Sequence, residues 1–162
     1  MGSGIAAKVA NAGIPVTIID LPSKEGSRNK ITENAKERIL KSRPPLLVEK
    51  NKIDLISAGN IEDDFNLVGN ADWVVEAVVE RINIKKGIYK KIKNIRKQDS
   101  IISSNTSTIP LKVLSTDMSD EMKKDFRKLI LSLSLMGSVT ISKRPMYRTG
   151  LKKCVIQKFF FI

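Results

Sequence analysis

Met1-Gly2-Ser3-Gly4-Ile5-Ala6-Ala7 opens the chain, and Ile14-Pro15-Val16-Thr17-Ile18-Ile19-Asp20 follows after one helix-sized interval. The first stretch reads as the last part of a dinucleotide-binding glycine loop already running into its helix. Ile5, Ala6, Val9 and Ala10 recur at helical spacing, and Gly13 supplies the stop. The second stretch is β-branched and ends in an acid, which predicts a buried parallel strand. In a G-x-G-x-x-G loop the third glycine lets the helix pack tightly on its strand, while the helix N-terminus faces a pyrophosphate. Gly2 fits that third position. Asp20 lies 18 residues later, near the roughly 20-residue offset of an acid that accepts from a ribose 2′-hydroxyl and repels a 2′-phosphate. Each feature has an ordinary alternative: a small residue at a helix start, and a surface aspartate in a turn.

Outward from this pair, the pattern alternates. Ser23 or Ser27 is expected to cap a helix through Ile31, Ala35, Ile39 and Leu40, which Pro44-Pro45 stops. A short helical turn is expected over 46–52 and a strand over 53–58, closed by the turn signal Gly59-Asn60. Another short turn follows over 61–67. A strong strand is predicted over 71–78, a helix over 82–95 with Ile84, Ile88, Tyr89, Ile92 and Ile95 on one face, and a third strong strand over 100–104. The lysines of the 82–95 helix are expected on its solvated side. A short helix is predicted near 111–114. Strands alternating with helices over short connections indicate an α/β fold with a doubly wound, Rossmann-like parallel sheet.

Beyond Phe126 this order fails. Leu129 to Leu135 alternates like a strand, but the remainder lacks periodicity and ends in Phe159-Phe160-Phe161-Ile162, an apolar end without an evident partner. Charge changes there too. The chain carries +12, yet residues 127–162 hold eight Lys or Arg and no Asp or Glu, which leaves +4 on residues 1–126. We therefore divide the sequence into 1–126 and a basic tail, 127–162. The single cysteine, Cys154, excludes an internal disulfide and gives no metal pattern. No apolar run approaches the roughly 20 residues of a membrane helix, and no secretory signal is seen, so no membrane association and a cytoplasmic location are expected.

The blocks Met1-Gly-Ser-Gly-Ile-Ala-Ala, Ile18-Ile-Asp, Glu76-Ala-Val-Val-Glu-Arg and Ser103-Ser-Asn-Thr-Ser-Thr-Ile-Pro occur in order. Together they resemble the NAD-binding domain of the L-3-hydroxyacyl-CoA dehydrogenases of fatty-acid β-oxidation, over about residues 1–126. Leu40-Lys-Ser-Arg-Pro-Pro and Ala58-Gly-Asn-Ile-Glu-Asp-Asp look similar as well. The resemblance implies NAD as cofactor and 3-hydroxyacyl-CoA as family substrate, oxidised to 3-oxoacyl-CoA. It implies that Met1 and Gly2 close the phosphate loop and that Asp20 holds the adenosine ribose. Glu80 and Lys85 would line the nicotinamide half of the groove, and Ser107 would contact cofactor and substrate oxygen. Read without the resemblance, Glu80 and Lys85 are a helix-surface pair and Ser107 an N-cap.

The departures matter equally. The family's general base is a histidine, suited to proton transfer near neutral pH, and this chain contains none. The family's orienting glutamate has no counterpart, since no acid follows Asp125. The family's first strand and helical C-terminal domain have no counterparts either. The expectation is a truncated, inactive portion of such an enzyme, with Met1 inside the glycine loop and the tail translated out of frame. A doubly wound sheet without its central first strand should be unstable unless another segment fills the slot, and the apolar tail is the available candidate. Two other readings stand beside this one. A basic nucleic-acid-binding protein is suggested by charge but unsupported by any RNP, zinc-finger or helix-turn-helix feature; the other is a non-catalytic NAD-binding module.

Overall fold

In the computed structural model, residues 1–131, 139–141 and 154–157 are described. Helix α1 (Gly2–Asn11) leads into strand β1 (Val16–Asp20). Its end is a Schellman motif: Ile14 N–H donates to Val9 O at 3.3 Å and Gly13 N–H to Ala10 O at 2.8 Å. Gly13 sits at φ +78°, a conformation that costs a residue with a Cβ.

Helix α2 (Lys30–Lys41) and a 3-10 turn (Lys50–Leu55) precede β2 (Ile56–Asn60). A second 3-10 turn (Phe65–Asn70) leads to β3 (Trp73–Glu76), and α3 (Ile82–Ile95) to β4 (Ile101–Ser104). Short helices α4 (Leu111–Leu114) and α5 (Asp120–Asp125) come before β5 (Phe126–Leu131). Strands β6 (Val139–Ile141) and β7 (Cys154–Gln157) complete the described elements.

The sheet order is β2-β1-β7-β3-β4-β5-β6, parallel throughout except for β6, which runs antiparallel to β5. A doubly wound dinucleotide fold has the order 3-2-1-4-5-6. Here the place of its first strand belongs to β7, from the far end of the chain. Cys154 pairs with Val16 on one side and Trp73 on the other, and Gln157 with Ile19 and Glu76. Among the described residues no strand precedes α1, and the central slot is filled by β7. Neither β1 nor β3 has a bare edge there.

Strand β7 suits the slot because both faces of a central parallel strand are buried. Cys154 and Ile156 join the core under α1 and α2, with Ile5, Val9, Val16, Ile18, Ile39 and Trp73. Val155 points the other way, into the core under α3, with Ile19, Val74, Ile88, Ile92 and Ile102. The same period of two places Ile18 and Ile19, and Val74 and Val75, on opposite sides. Tyr89 and Phe126 meet edge to face at 5.1 Å, closing the α3 side toward β5.

Some local expectations need correction. Gly59 and Asn60 lie within β2 rather than in a turn, and the strand begins at Ile56 because residues 50–55 wind into the 3-10 turn. A Cβ on Gly59 would come 2.9 Å from Asp64 Oδ2, so this residue is needed where the following loop folds back. Asn60 Oδ1 then makes the turn one residue later, accepting from Glu62 N–H at 3.0 Å and Asp63 N–H at 2.9 Å. The N-cap position of α2 is Asn29, not Ser23 or Ser27. Ser27 instead hydrogen-bonds Glu33 Oε1 at 2.9 Å. Helix α5, which periodicity alone did not indicate, is capped by Ser119, whose Oγ accepts from Met122 N–H at 3.3 Å. The alternating run is a strand through Leu131; residues 132–135 and the Phe159–Ile162 end lie outside the described residues.

Candidate functional site

The carboxyl ends of the parallel strands form one edge, where an open α/β sheet binds its ligands. On that edge β1 ends in Asp20, β2 in Asn60, β3 in Glu76 and β4 in Ser104. Helix α1 starts there too. Its N-terminus has no side-chain cap, Gly2 is buried and Met1 is exposed. Asn105 Nδ2 lies 3.7 Å from the Met1 sulfur, so the start of α1 abuts the loop after β4.

Asp20 is buried at the other side of this helix start. Its Oδ1 accepts from Leu21 N–H at 2.8 Å, and its carbonyl from Ile61 N–H at 2.9 Å, which ties the ends of β1 and β2 together. Leu21 and Ile61 continue into an open cavity of about 600 Å³ bounded across by Asn83, Ile84, Gly87 and Ile88 of α3. Its lining is mostly apolar, with Glu62, Asn83 and Lys91 as its polar members, a surface suited to the flat face of a heterocycle.

The opposite end is a dense polar network. Glu76 has no exposed surface. Its Oε1 accepts from Lys85 Nζ at 2.7 Å and Val78 N–H at 2.8 Å. Its Oε2 accepts from Tyr89 Oη at 2.5 Å and Ser104 Oγ at 2.7 Å. Each oxygen has two donors, which offsets the large penalty of burying a carboxylate. Burial, with the Glu76 charge beside it, pushes the Tyr89 hydroxyl far up, so it stays a neutral donor. Lys85 is also fully buried, which corrects the expectation that the α3 lysines all face solvent. It reaches Glu80 Oε2 at 3.2 Å.

Glu80 in turn holds the loop after β4. Its Oε1 accepts from Thr106 Oγ1 at 2.5 Å, Ser107 N–H at 2.9 Å, Thr108 N–H at 3.1 Å and Thr108 Oγ1 at 3.2 Å. Partial burial works against ionisation of this carboxyl. The hydrogen bonds from Thr106 and Thr108 and the Lys85 ammonium outweigh it and bring the group down to about 2. Ser107 is exposed and does not cap α4, whose N-cap position is Pro110.

The structure therefore brings five of the six sequence-derived residues to positions along one edge with their surroundings defined: Met1 and Gly2 at the helix start, Asp20 to one side, Glu80 and Ser107 to the other. Lys85 stands behind Glu80, without surface of its own. Sequence reasoning missed Glu76, Tyr89, Ser104 and Thr106 as members of the network. The available signal was an acid, Glu76, at the end of an otherwise apolar strand, followed by Lys85 and Tyr89 one helical turn apart on α3. Among the described residues no group of acids, cysteines or histidines is arranged to hold a metal ion.

The family model for the 3-hydroxyacyl-CoA dehydrogenase NAD-binding domain matches residues 1–127. A Rickettsia felis protein named as a fatty acid oxidation complex trifunctional enzyme is 43% identical over 127 residues, 78% of this chain and 18% of that protein. A Deinococcus radiodurans protein named as a 3-hydroxyacyl-CoA dehydrogenase is 39% identical over 128 residues, 78% of this chain and 37% of its own length. The chain thus spans well under half of these relatives. Among solved structures, (S)-3-hydroxybutyryl-CoA dehydrogenase from Ralstonia eutropha superposes with a TM-score of 0.66 at 23% identity, covering 98% of this chain and 60% of that one. That likeness is one of fold.

Proposed function

The chain belongs to the 3-hydroxyacyl-CoA dehydrogenase family, whose NAD-binding domain it carries, and from that premise we propose that it binds NAD without itself oxidising 3-hydroxyacyl-CoA. The observation that carries the reading is the placement of Asp20 and the Glu80–Ser107 pair on either side of the uncapped start of α1. The residues fit the cofactor. Asp20 would accept from the adenosine ribose, with the adjoining 600 Å³ cavity for the adenine. The first-turn amides of α1, from Gly2 on, would face the pyrophosphate. Glu80 and Ser107 would border the nicotinamide ribose, with Lys85 holding Glu80 in place.

NAD, when bound, supplies a two-electron acceptor. The substrate side of the reaction needs a base at the 3-hydroxyl, and the sequence contains no histidine for it. No other group in the network substitutes: Glu76 is saturated with donors, Tyr89 stays protonated, and Glu80 is a spent acceptor at neutral pH. In this reading residues 1–126 are the NAD-binding portion of a dehydrogenase, and the basic residues 127–162 are a segment of different origin, translated from another frame. Among the described residues no helix is long and apolar enough to cross a membrane; we place the protein in the cytoplasm, with 3-hydroxyacyl-CoA the substrate of the activity it derives from.

Titration calorimetry tests this. Wild-type protein should bind NAD at one site, and Asp20→Asn should weaken binding at least tenfold. Neither should reduce acetoacetyl-CoA with NADH. Turnover at a rate typical of dehydrogenases, or wild-type protein with no NAD binding, would contradict the proposal.

A further inference from the structure

Glu76, Lys85 and Glu80 form a continuous ionic row, two carboxylates around one ammonium, at 2.7 Å and 3.2 Å. Its formal charge is minus one. Lys85 and Glu76 have no exposed side-chain surface, and Glu80 retains 31%. The row runs from the core between β3 and α3 to the carboxyl edge, so its uncompensated charge emerges at Glu80. The hydroxyls of Tyr89, Ser104, Thr106 and Thr108 that surround it are neutral. The nearby cations do not cancel it from inside. Arg81 is exposed. Lys128 Nζ donates to Ser107 O at 3.3 Å in an exposed bond, where water screens it. Lys86 is paired with Asp117 at 2.9 Å.

We propose that this row makes the cleft selective for the oxidised form of the cofactor, the charge delivered by Glu80 favouring the cationic nicotinamide of NAD+ over the neutral ring of NADH. The inference rests on the NAD-binding reading above and goes beyond it. A dinucleotide with its adenosine ribose at Asp20 crosses the start of α1 and brings its other half over the ends of β3 and β4. That is where Glu80 and Ser107 stand. The two redox forms share every other group, so the ratio of their affinities isolates the charge felt at the ring. A unit charge acting on the ring through a partly screened site is worth roughly tenfold in an equilibrium constant.

The row also explains why the charge persists. Losing Lys85 would strand Glu76 as an unpaired buried carboxylate, which costs far more than an exposed pair contributes. Specificity is thus built on a group that folding already holds ionised.

The test is a pair of titrations, NAD+ and NADH, against the full chain and its Glu80→Gln variant. The carboxamide oxygen still accepts from the Ser107 and Thr108 amides, so the loop keeps its anchor; the new NH2 cannot accept from Lys85, which keeps Glu76 as its acceptor while the charge at the edge is removed. The expected result is a shift of the NAD+ to NADH affinity ratio by about tenfold toward NADH. Equal weakening of both forms would show Glu80 to be a loop anchor only and would overturn the inference. If Glu80→Gln does not fold, the wild-type ratio is followed against salt. A preference for NAD+ that declines with ionic strength supports the row's role, and a salt-independent preference for NADH overturns it. Wild-type protein that binds neither form removes the NAD reading itself.

Discussion

Replacing Ile156 with alanine tests whether the tail strand completes the sheet. Ile156 is fully buried in β7, between β1 and β3, and pairs with both Ile18 and Val75. Removing a buried isoleucine side chain to the β-carbon costs about 2–5 kcal/mol in a packed core. Total stabilities of such domains are roughly 5–15 kcal/mol, so the change takes a large share. With a urea dependence of about 2 kcal/mol/M, the unfolding midpoint should fall by roughly 1–2.5 M. Two intrinsic probes read the slot. Trp73, the only tryptophan, pairs with Cys154 and donates its indole N–H to Ser103 Oγ at 3.0 Å. Cys154, the only cysteine, is buried, and burial pushes its thiol far above the usual range. Wild-type thiol should resist alkylation until the Trp73 fluorescence transition, and in Ile156→Ala both should move together to lower urea. An unchanged midpoint, with Cys154 reacting in wild-type protein as fast as in a peptide, would refute the placement of β7.

Two further outcomes follow from the polar network. Lys85→Met leaves Glu76 and Glu80 without their shared cation in a buried site, so urea unfolding should show a loss of about 3–5 kcal/mol, whereas Lys41→Met, at an exposed pair with Glu37, should change stability by less than about 1 kcal/mol. Glu80 titrates at about 2 when folded, below its ordinary value of 4.5. Its contribution is therefore complete above pH 4.5 and lost as pH falls toward 2; thermal melts across that window should show a shallower acid limb in Glu80→Gln than in wild type.

Much of the carboxyl edge of the sheet is legible before any coordinates because it is local. Val16–Asp20, Trp73–Glu76 and Ile101–Ser104 are short runs buried on both faces, and α3 carries an apolar stripe interrupted by Lys85. Helix α1 ends where Gly13 says it should. Strand β7 was not legible as an element. Cys154-Val155-Ile156-Gln157 is too short to stand out in a basic, aperiodic tail, and its fitness comes from β1 and β3, more than seventy residues away. Counting strands shows that a slot needs filling; only the structure shows that residues 154–157 fill it. Lys85 was misplaced for a similar reason. Helical periodicity puts it on the same face as Ile88, Tyr89 and Ile92, where a lysine is unexpected, and only the fold brings Glu76 from β3 within 2.7 Å to make its burial tolerable. The β2 boundary moved because Gly59 and Asn60 have turn-forming identities, while tertiary contacts to Asp64 and β1 put them in the strand.

The central claim, a folded nicotinamide-cofactor site closed by a borrowed strand, is tested most directly by the thermal transition with and without NAD. Wild-type protein should unfold cooperatively, and NAD at about 100 times its dissociation constant should add roughly 2.7 kcal/mol, raising Tm by several degrees. The Asp20→Asn variant should show a much smaller rise at the same concentration. A cooperative transition whose midpoint is indifferent to NAD in both proteins would contradict the account.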